Sequence, residues 1–202
     1  MKNILKTYDQ LVELLHLLDA RLLEGYGSQF EVVIQAVGGF ALMYHNLRVD
    51  SKLSRDVDSI KELPAKVYRL AQEIDGSGWL NDDVSADYGI PKELFDNLVF
   101  VDSTFKFKCI RLQVAVLESI MAMKLHAIDN MTRRGYNRHT NPRTQDPKDV
   151  KDILHLYNVK NEQDFVREFP GLDCYVEKVY IADDEANTPV YVNIFEKYEL
   201  FE

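Results

Sequence analysis

Two short patterns in this chain could carry chemistry. Gly38-Gly39 stands between an apolar run, Glu31–Val37, and a helix-like stretch, Phe40–Leu47. Glycines at such a junction let the backbone bend sharply and approach a ligand closely, and the free N–H groups that open a helix suit phosphate. Further on comes Asp56-Val57-Asp58, inside a strand-like segment, Asp56–Ile60. Strand positions i and i+2 point to one face, so the two carboxylates converge. Like charges held together repel unless a cation lies between them, which suits a hard divalent ion such as Mg²⁺. Taken singly, each pattern also has a plain structural reading, a turn and two solvated acids at a strand end.

The elements that must position these residues can be read from periodicity. Ile4, Tyr8, Leu11, Leu15, Leu18 and Leu22 follow helical spacing, and Gly25 and Gly27 stop the run. Glu31–Val37 reads as a largely buried strand. A polar loop, Arg48–Arg55, leads to the second strand. Pro64 suits a first helical position for Pro64–Asp75, which Gly76-Ser77-Gly78 closes. Trp79–Asp96 reads as a loop with at most one short strand. Asn97–Asp102 and Phe105–Val116 alternate like a hairpin, Leu117–Met131 is helical, and Thr132–Gln145 is a polar loop. Pro147 opens another helix, PKDVKDILHLY, and the tail alternates like edge strands. The expected class is α+β, a mixed sheet flanked by helices with a C-terminal helical subdomain. Residues 1–131 are expected to form the core and residues 132–202 a helical extension with an acidic tail, together one compact unit.

Composition narrows the function classes. With 202 residues, 46% hydrophobic and 28% charged, the chain is neither disordered nor low in complexity. No apolar run is long enough for a membrane span, and charges interrupt the first segment, so no membrane partner and a cytoplasmic location are expected. Cys109 and Cys174 have no metal-type spacing, and the five histidines form no HxxxH or HxH pair. The formal net charge is −9, but from Glu162 onward eleven acids face three bases. The preceding three-quarters is therefore nearly neutral. It holds an acid-free loop with Arg133, Arg134, Arg138, His139 and Arg143, suited to phosphate or RNA, or simply to solvent.

In combination, VGGFALMYHNLRVDSKLSRDVDSI (Val37–Ile60) resembles the nucleotidyltransferase fold of the DNA polymerase β type, and most closely the AbiEii and minimal nucleotidyltransferase groups. Their pattern is a Gly-Gly or Gly-Ser turn, a helix, a loop with Arg and Thr or Ser, and Asp-x-Asp. Arg48 and Ser54 take the two loop positions. A second block is similar in the same order: ESIMAMKLHAI (Glu118–Ile128), the arginine loop, and PKDVKDILHLY (Pro147–Tyr157).

The resemblance implies transfer of a nucleoside monophosphate from an NTP to an RNA (such as tRNA) or protein acceptor. Gly38, Gly39, Arg48 and Ser54 would hold the nucleotide, and Asp56 and Asp58 would bind Mg²⁺. Lys124 would meet a phosphate, with Asp149 and Asp152 orienting it or the acceptor. Such sites usually hold a third carboxylate. Asp102 is the best candidate for it, with Asp82 or Asp83 behind it. Relatives in toxin–antitoxin and phage-defence systems make a toxin or antitoxin partner conceivable. The alternative is a catalytically inactive protein of this fold acting as a binding or antitoxin-like subunit.

Overall fold

Leu11, Leu15, Leu18 and Leu22 are all fully buried along α1 (Tyr8–Tyr26) in the computed structural model, as their spacing requires. Burial of each leucine contributes roughly 2–3 kcal/mol before chain entropy is counted. The helix starts at Tyr8 because Thr7 caps it: Thr7 Oγ1 accepts the Gln10 N–H at 3.2 Å, and the Gln10 side chain accepts the Thr7 N–H at 2.9 Å. It ends at Gly27, whose positive φ of 76° suits glycine and whose N–H donates to the Leu23 carbonyl. The structure describes residues 5–48, 53–82, 96, 98–117, 119–121 and 123–124.

Before α1, β1 (Lys6–Thr7) pairs antiparallel with β3 (Leu53–Ser54), with Lys6 opposite Ser54. The end of the expected loop Arg48–Arg55 is thus a strand, created by a distant partner rather than by its own pattern. The main sheet contains β2 (Val32–Val37), β4 (Val57–Ser59), β5 (Leu80–Asn81), β6 (Phe100–Asp102) and β7 (Ile110–Ala115), in the order β5-β4-β2-β7-β6. β2 is antiparallel to β4 and parallel to β7, β4 is parallel to β5, and β6 is antiparallel to β7, so the sheet is mixed. The α+β class expected from the sequence is therefore present.

The two faces of this sheet differ. Val32, Ile34 and Ala36, Ile110, Leu112 and Val114, with Val57 and Leu80, are buried on one face. The other carries Asp58 and Asn81, then Gln35, then Arg111 and Gln113, then Asp102. Such alternation is what a half-buried sheet demands. α2 (Gly38–Tyr44) follows β2 directly and starts at the glycine pair itself, not at Phe40. α3 (Ala65–Ile74) packs on α1 and buries Val67 and Ala71; Pro64 precedes it as the cap rather than sitting at its first position. Trp79 is fully buried, and its indole N–H donates to the Ala71 carbonyl at 3.0 Å.

Phe105–Cys109 is not strand, although it alternates. The side chain of Asp19, buried on α1, takes the N–H groups of Cys109 at 2.7 Å and of Lys108 and Ile110 at 3.0 Å each. The Lys108 and Cys109 N–H groups are thereby taken from any ladder, and the strand starts at Ile110. The chain divides into two compact units: Met1–Asp87 with Phe100–Val116, and Tyr88–Val99 with Leu117–Glu202. The chain passes between them three times, at 87/88, 99/100 and 116/117. In the second unit Leu117, Ser119–Met121, Met123 and Lys124 are helical, the first part of the helix expected there. The Ser119 hydroxyl accepts the Val99 N–H at 2.8 Å. The arginine loop, the Pro147–Tyr157 helix with Asp149 and Asp152, Asp83, Cys174 and the acidic tail lie outside the described residues.

Candidate functional site

Six residues named from the sequence come together where β2 ends. Val37 pairs with Asp58, which brings the carboxylate strand beside the glycine turn. Gly38 has φ 62°, and a Cβ there would lie 2.7 Å from Asp58 Oδ2. Gly38 therefore meets two demands, a left-handed backbone and an uncovered approach for a carboxylate. At Gly39 a Cβ would fall on the Arg48 guanidinium and come within 2.5 Å of Ser54 Oγ. Gly39, Arg48 and Ser54 are all buried, Arg48 with 7% of its surface exposed. Gly39, Arg48 and Ser54 thus form one contact, and Gly38 and Asp58 form the one beside it.

The charges in this cluster are uneasy. Burial pushes the Asp58 carboxyl up to about 7, and the neighbouring Asp56 charge pushes the same way. Asp56 is also raised, chiefly by burial, against the pull of Arg55, Asn81, Arg48 and Lys6. Among the described residues, neither carboxylate forms an ion pair within 4 Å, and the Arg48 Nη1 and Nη2 atoms are buried without a hydrogen-bond partner. Two carboxylates that resist ionisation beside one another are a fit for a hard divalent cation. Mg²⁺ is commonly held by one or two carboxylates, with water and substrate phosphates as its other ligands. Among the described residues, no three His, Cys, Asp or Glu side chains gather into a ready cage. Asp56 and Asp58 would be the protein's share of the ligands.

Three neighbours were not singled out from the sequence. Asn81 lies opposite Asp58 on β5, and its side-chain amide donates to Asp56 Oδ2 at 3.1 Å. Lys6 is buried, with Nζ 2.7 Å from Ser77 Oγ and 3.2 Å from Asp75 Oδ2. Arg55 stands exposed beside Asp56 and favours ionisation of both carboxylates. The signal for Arg55 was its adjacency to the DxD pattern. Asn81 and Lys6 reach the cluster only through strand pairing and burial, which local patterns do not reveal.

Other expected members stand elsewhere. Asp102 is on β6, and β2 and β7 lie between it and β4, a span of about 14 Å at ordinary strand spacing. Its carboxylate is fully engaged at the surface, accepting Nε and Nη2 of Arg111 and Nε2 of Gln113 at 3.0 Å each. It is therefore no third carboxylate for Asp56 and Asp58. Asp82 is turned away as well, accepting the Leu63 N–H at 2.6 Å and the Tyr68 hydroxyl. Lys124 belongs to the second compact unit, and the cluster described here is drawn from the first alone. Compared with protein-family models, with curated proteins and with solved structures, the chain matches none.

Proposed function

We infer that the chain is a Mg²⁺-dependent nucleotidyltransferase of the polymerase β type, similar to the AbiEii-like proteins. It would move a nucleoside monophosphate from an NTP to a hydroxyl of an RNA or protein acceptor. The observation that carries this reading is the meeting of Gly38 with Asp58 and of Gly39 with Arg48 and Ser54. The acceptor hydroxyl would release its proton to solvent and its oxygen would bond to the α-phosphorus, as the bond from that phosphorus to the α,β-bridging oxygen breaks and pyrophosphate leaves. Mg²⁺ bound by Asp56 and Asp58 would supply charge stabilisation for the attacking and leaving oxygens. The chain's own residues would orient the triphosphate: the glycine turn by close approach, Arg48 by charge, Ser54 by its hydroxyl.

Incubation with each α-labelled NTP, Mg²⁺ and total RNA and protein tests this. Label transfer should fall by about 10³-fold or more in Asp56→Asn and Asp58→Asn. A wild type that transfers no label from any NTP refutes catalysis. A second reading, nucleotide binding without transfer, is favoured by Asn81, a neutral amide that occupies Asp56 where a further acid would strengthen a metal site. Under that reading Asn81→Asp raises Mg²⁺ affinity and label still does not move.

A further inference from the structure

Asn81 is the one side chain among the described residues that hydrogen-bonds to the carboxylate pair. It stands opposite Asp58 on β5, the outer strand of the sheet, and its Nδ2 donates to Asp56 Oδ2 at 3.1 Å. The same amide favours ionisation of Asp58. A carboxylate only accepts, so the amino end of the amide has to face the pair. That end is a neutral donor, standing where two negative charges call for a cation. Both carboxyls stay raised in its presence, so the amide serves their hydrogen bonding without neutralising them.

The other end of the amide is uncommitted. Asn81 Oδ1 bonds to nothing among the described residues, and the side chain is half-buried on an edge strand of two residues. Half a turn about Cβ–Cγ, a soft and roughly two-fold torsion, exchanges Nδ2 for Oδ1. An amide oxygen is an ordinary ligand for a hard divalent cation. The acid beside it in the chain, Asp82, is spent on the Leu63 N–H and the Tyr68 hydroxyl and does not compete for the place.

We propose that Asn81 is a third ligand of the cation site: its amide turns over when a divalent ion enters, and Oδ1 joins Asp56 and Asp58 on the metal. In the empty chain the amino end holds the two carboxylates; in the loaded chain the oxygen end takes the place of a third acid. This rests on the reading of Asp56 and Asp58 as a Mg²⁺ site and not on transfer. Affinity follows ligand charge, so the ion is held less tightly than by three carboxylates.

The test is titration of the metal-free full chain with Mn²⁺, which takes the same oxygen ligands, read from the EPR signal of the free ion, with Mg²⁺ in competition. Wild type should bind an ion that Asp58→Asn does not. Asn81→Leu offers neither donor nor ligand and should bind it about tenfold or more weakly. Asn81→Asp should bind it about tenfold more tightly. These opposite shifts separate a ligand from a mere competitor, whose removal in Asn81→Leu would tighten binding. Unchanged or tighter binding in Asn81→Leu, or no gain in Asn81→Asp, overturns the proposal while the cation site stands. Melting curves show whether each variant folds; if Asn81→Leu does not, Asn81→Ala is read by the same outcomes. A wild type that binds no Mn²⁺, or an Asp58→Asn that binds it undiminished, ends the cation-site reading itself and this inference with it.

Discussion

Asp19 and Arg48 are both buried charges, and the protein treats them in opposite ways. Asp19 sits on α1 with its carboxylate wrapped by the N–H groups of Lys108, Cys109 and Ile110. Arg48 has the same degree of burial and two nitrogen atoms that bond to nothing among the described residues. The first charge is compensated inside the chain and therefore ties helix to sheet. The second is left open, beside two carboxylates that are themselves reluctant to ionise. Buried polar groups in native proteins are normally satisfied, so among the described residues the open pair of nitrogens on Arg48 is the exception.

The sharpest way to break this contrast is to remove Asp19. Asp19→Ala leaves three N–H groups without their acceptor and should lower stability by about 3–5 kcal/mol. Urea unfolding measures it. Asp19→Asn, which keeps an acceptor but not the charge, should cost less. A loss under about 1 kcal/mol for Asp19→Ala would mean that water replaces the carboxylate easily, and the distinction from Arg48 would fail.

Gly38 comes next. A side chain there meets both a left-handed backbone and the Asp58 carboxylate. Gly38→Ala should destabilise by about 2 kcal/mol, combining the backbone cost with displacement of Asp58. The loss should shrink in a Gly38→Ala/Asp58→Ala double variant, since the clash is then gone and only the backbone term remains. A double-variant cycle in urea reads the difference.

The carboxylate pair gives a pH signature of similar or smaller size. Asp58 titrates near 7 in the folded chain and near the ordinary value of about 4 when unfolded. Between those values the folded state holds the proton that the unfolded chain has released. The contribution of Asp58 is therefore full below about pH 4 and is lost as pH rises through about 7. Asp58→Asn does not lose it. The stability gap should move in favour of Asp58→Asn by on the order of 2 kcal/mol from pH 5 to pH 8 in EDTA, discounted for the solvent that still reaches this half-buried pair. Added Mg²⁺ should reverse part of the wild-type loss at pH 8 and leave Asp58→Asn unmoved. A gap that stays constant with pH would remove the electrostatic tension from the site.

What could be read in advance follows from distance along the chain. The four buried leucines of α1, the strand Val32–Val37, the glycine turn and the Asp56/Asp58 strand all announce themselves by local spacing. Arg48 and Ser54 fall between turn and strand, so one stretch of chain carries most of the cluster. What local spacing hid was brought in from afar. Lys6 reaches Asp75 through a strand pairing of two residues with Leu53–Ser54, and Asn81 reaches Asp56 through a parallel pairing with β4. Phe105–Cys109 alternates like a strand, but a carboxylate from α1 claims Lys108 and Cys109. Phe105 and Phe107 instead lie half-buried in an aromatic group with Tyr8 and His16. Period alone cannot tell a ladder partner from a side-chain acceptor.

Asp102 supplies the smallest expected effect and a control for the rest. It has the residue type that a third metal ligand would need, yet it stands at an edge strand with its oxygens on Arg111 and Gln113. The hydrogen bonds from Arg111 and Gln113, with the Arg111 charge behind them, hold its carboxyl below the usual range. Exposure in water makes such a pair nearly neutral for stability. Asp102→Asn should leave Tm within about 1 °C of wild type at moderate salt, where surface charges are screened. Label transfer and the pH gap between wild type and Asp58→Asn should both be unchanged in this background. A fall in transfer of about tenfold or more in Asp102→Asn would show that β6 communicates with Asp58 on β4 across two intervening strands, β7 and β2. The row Asp102–Gln113–Gln35, linked at 3.0 Å at each step, would then be the path to mutate next, beginning with Gln113→Leu.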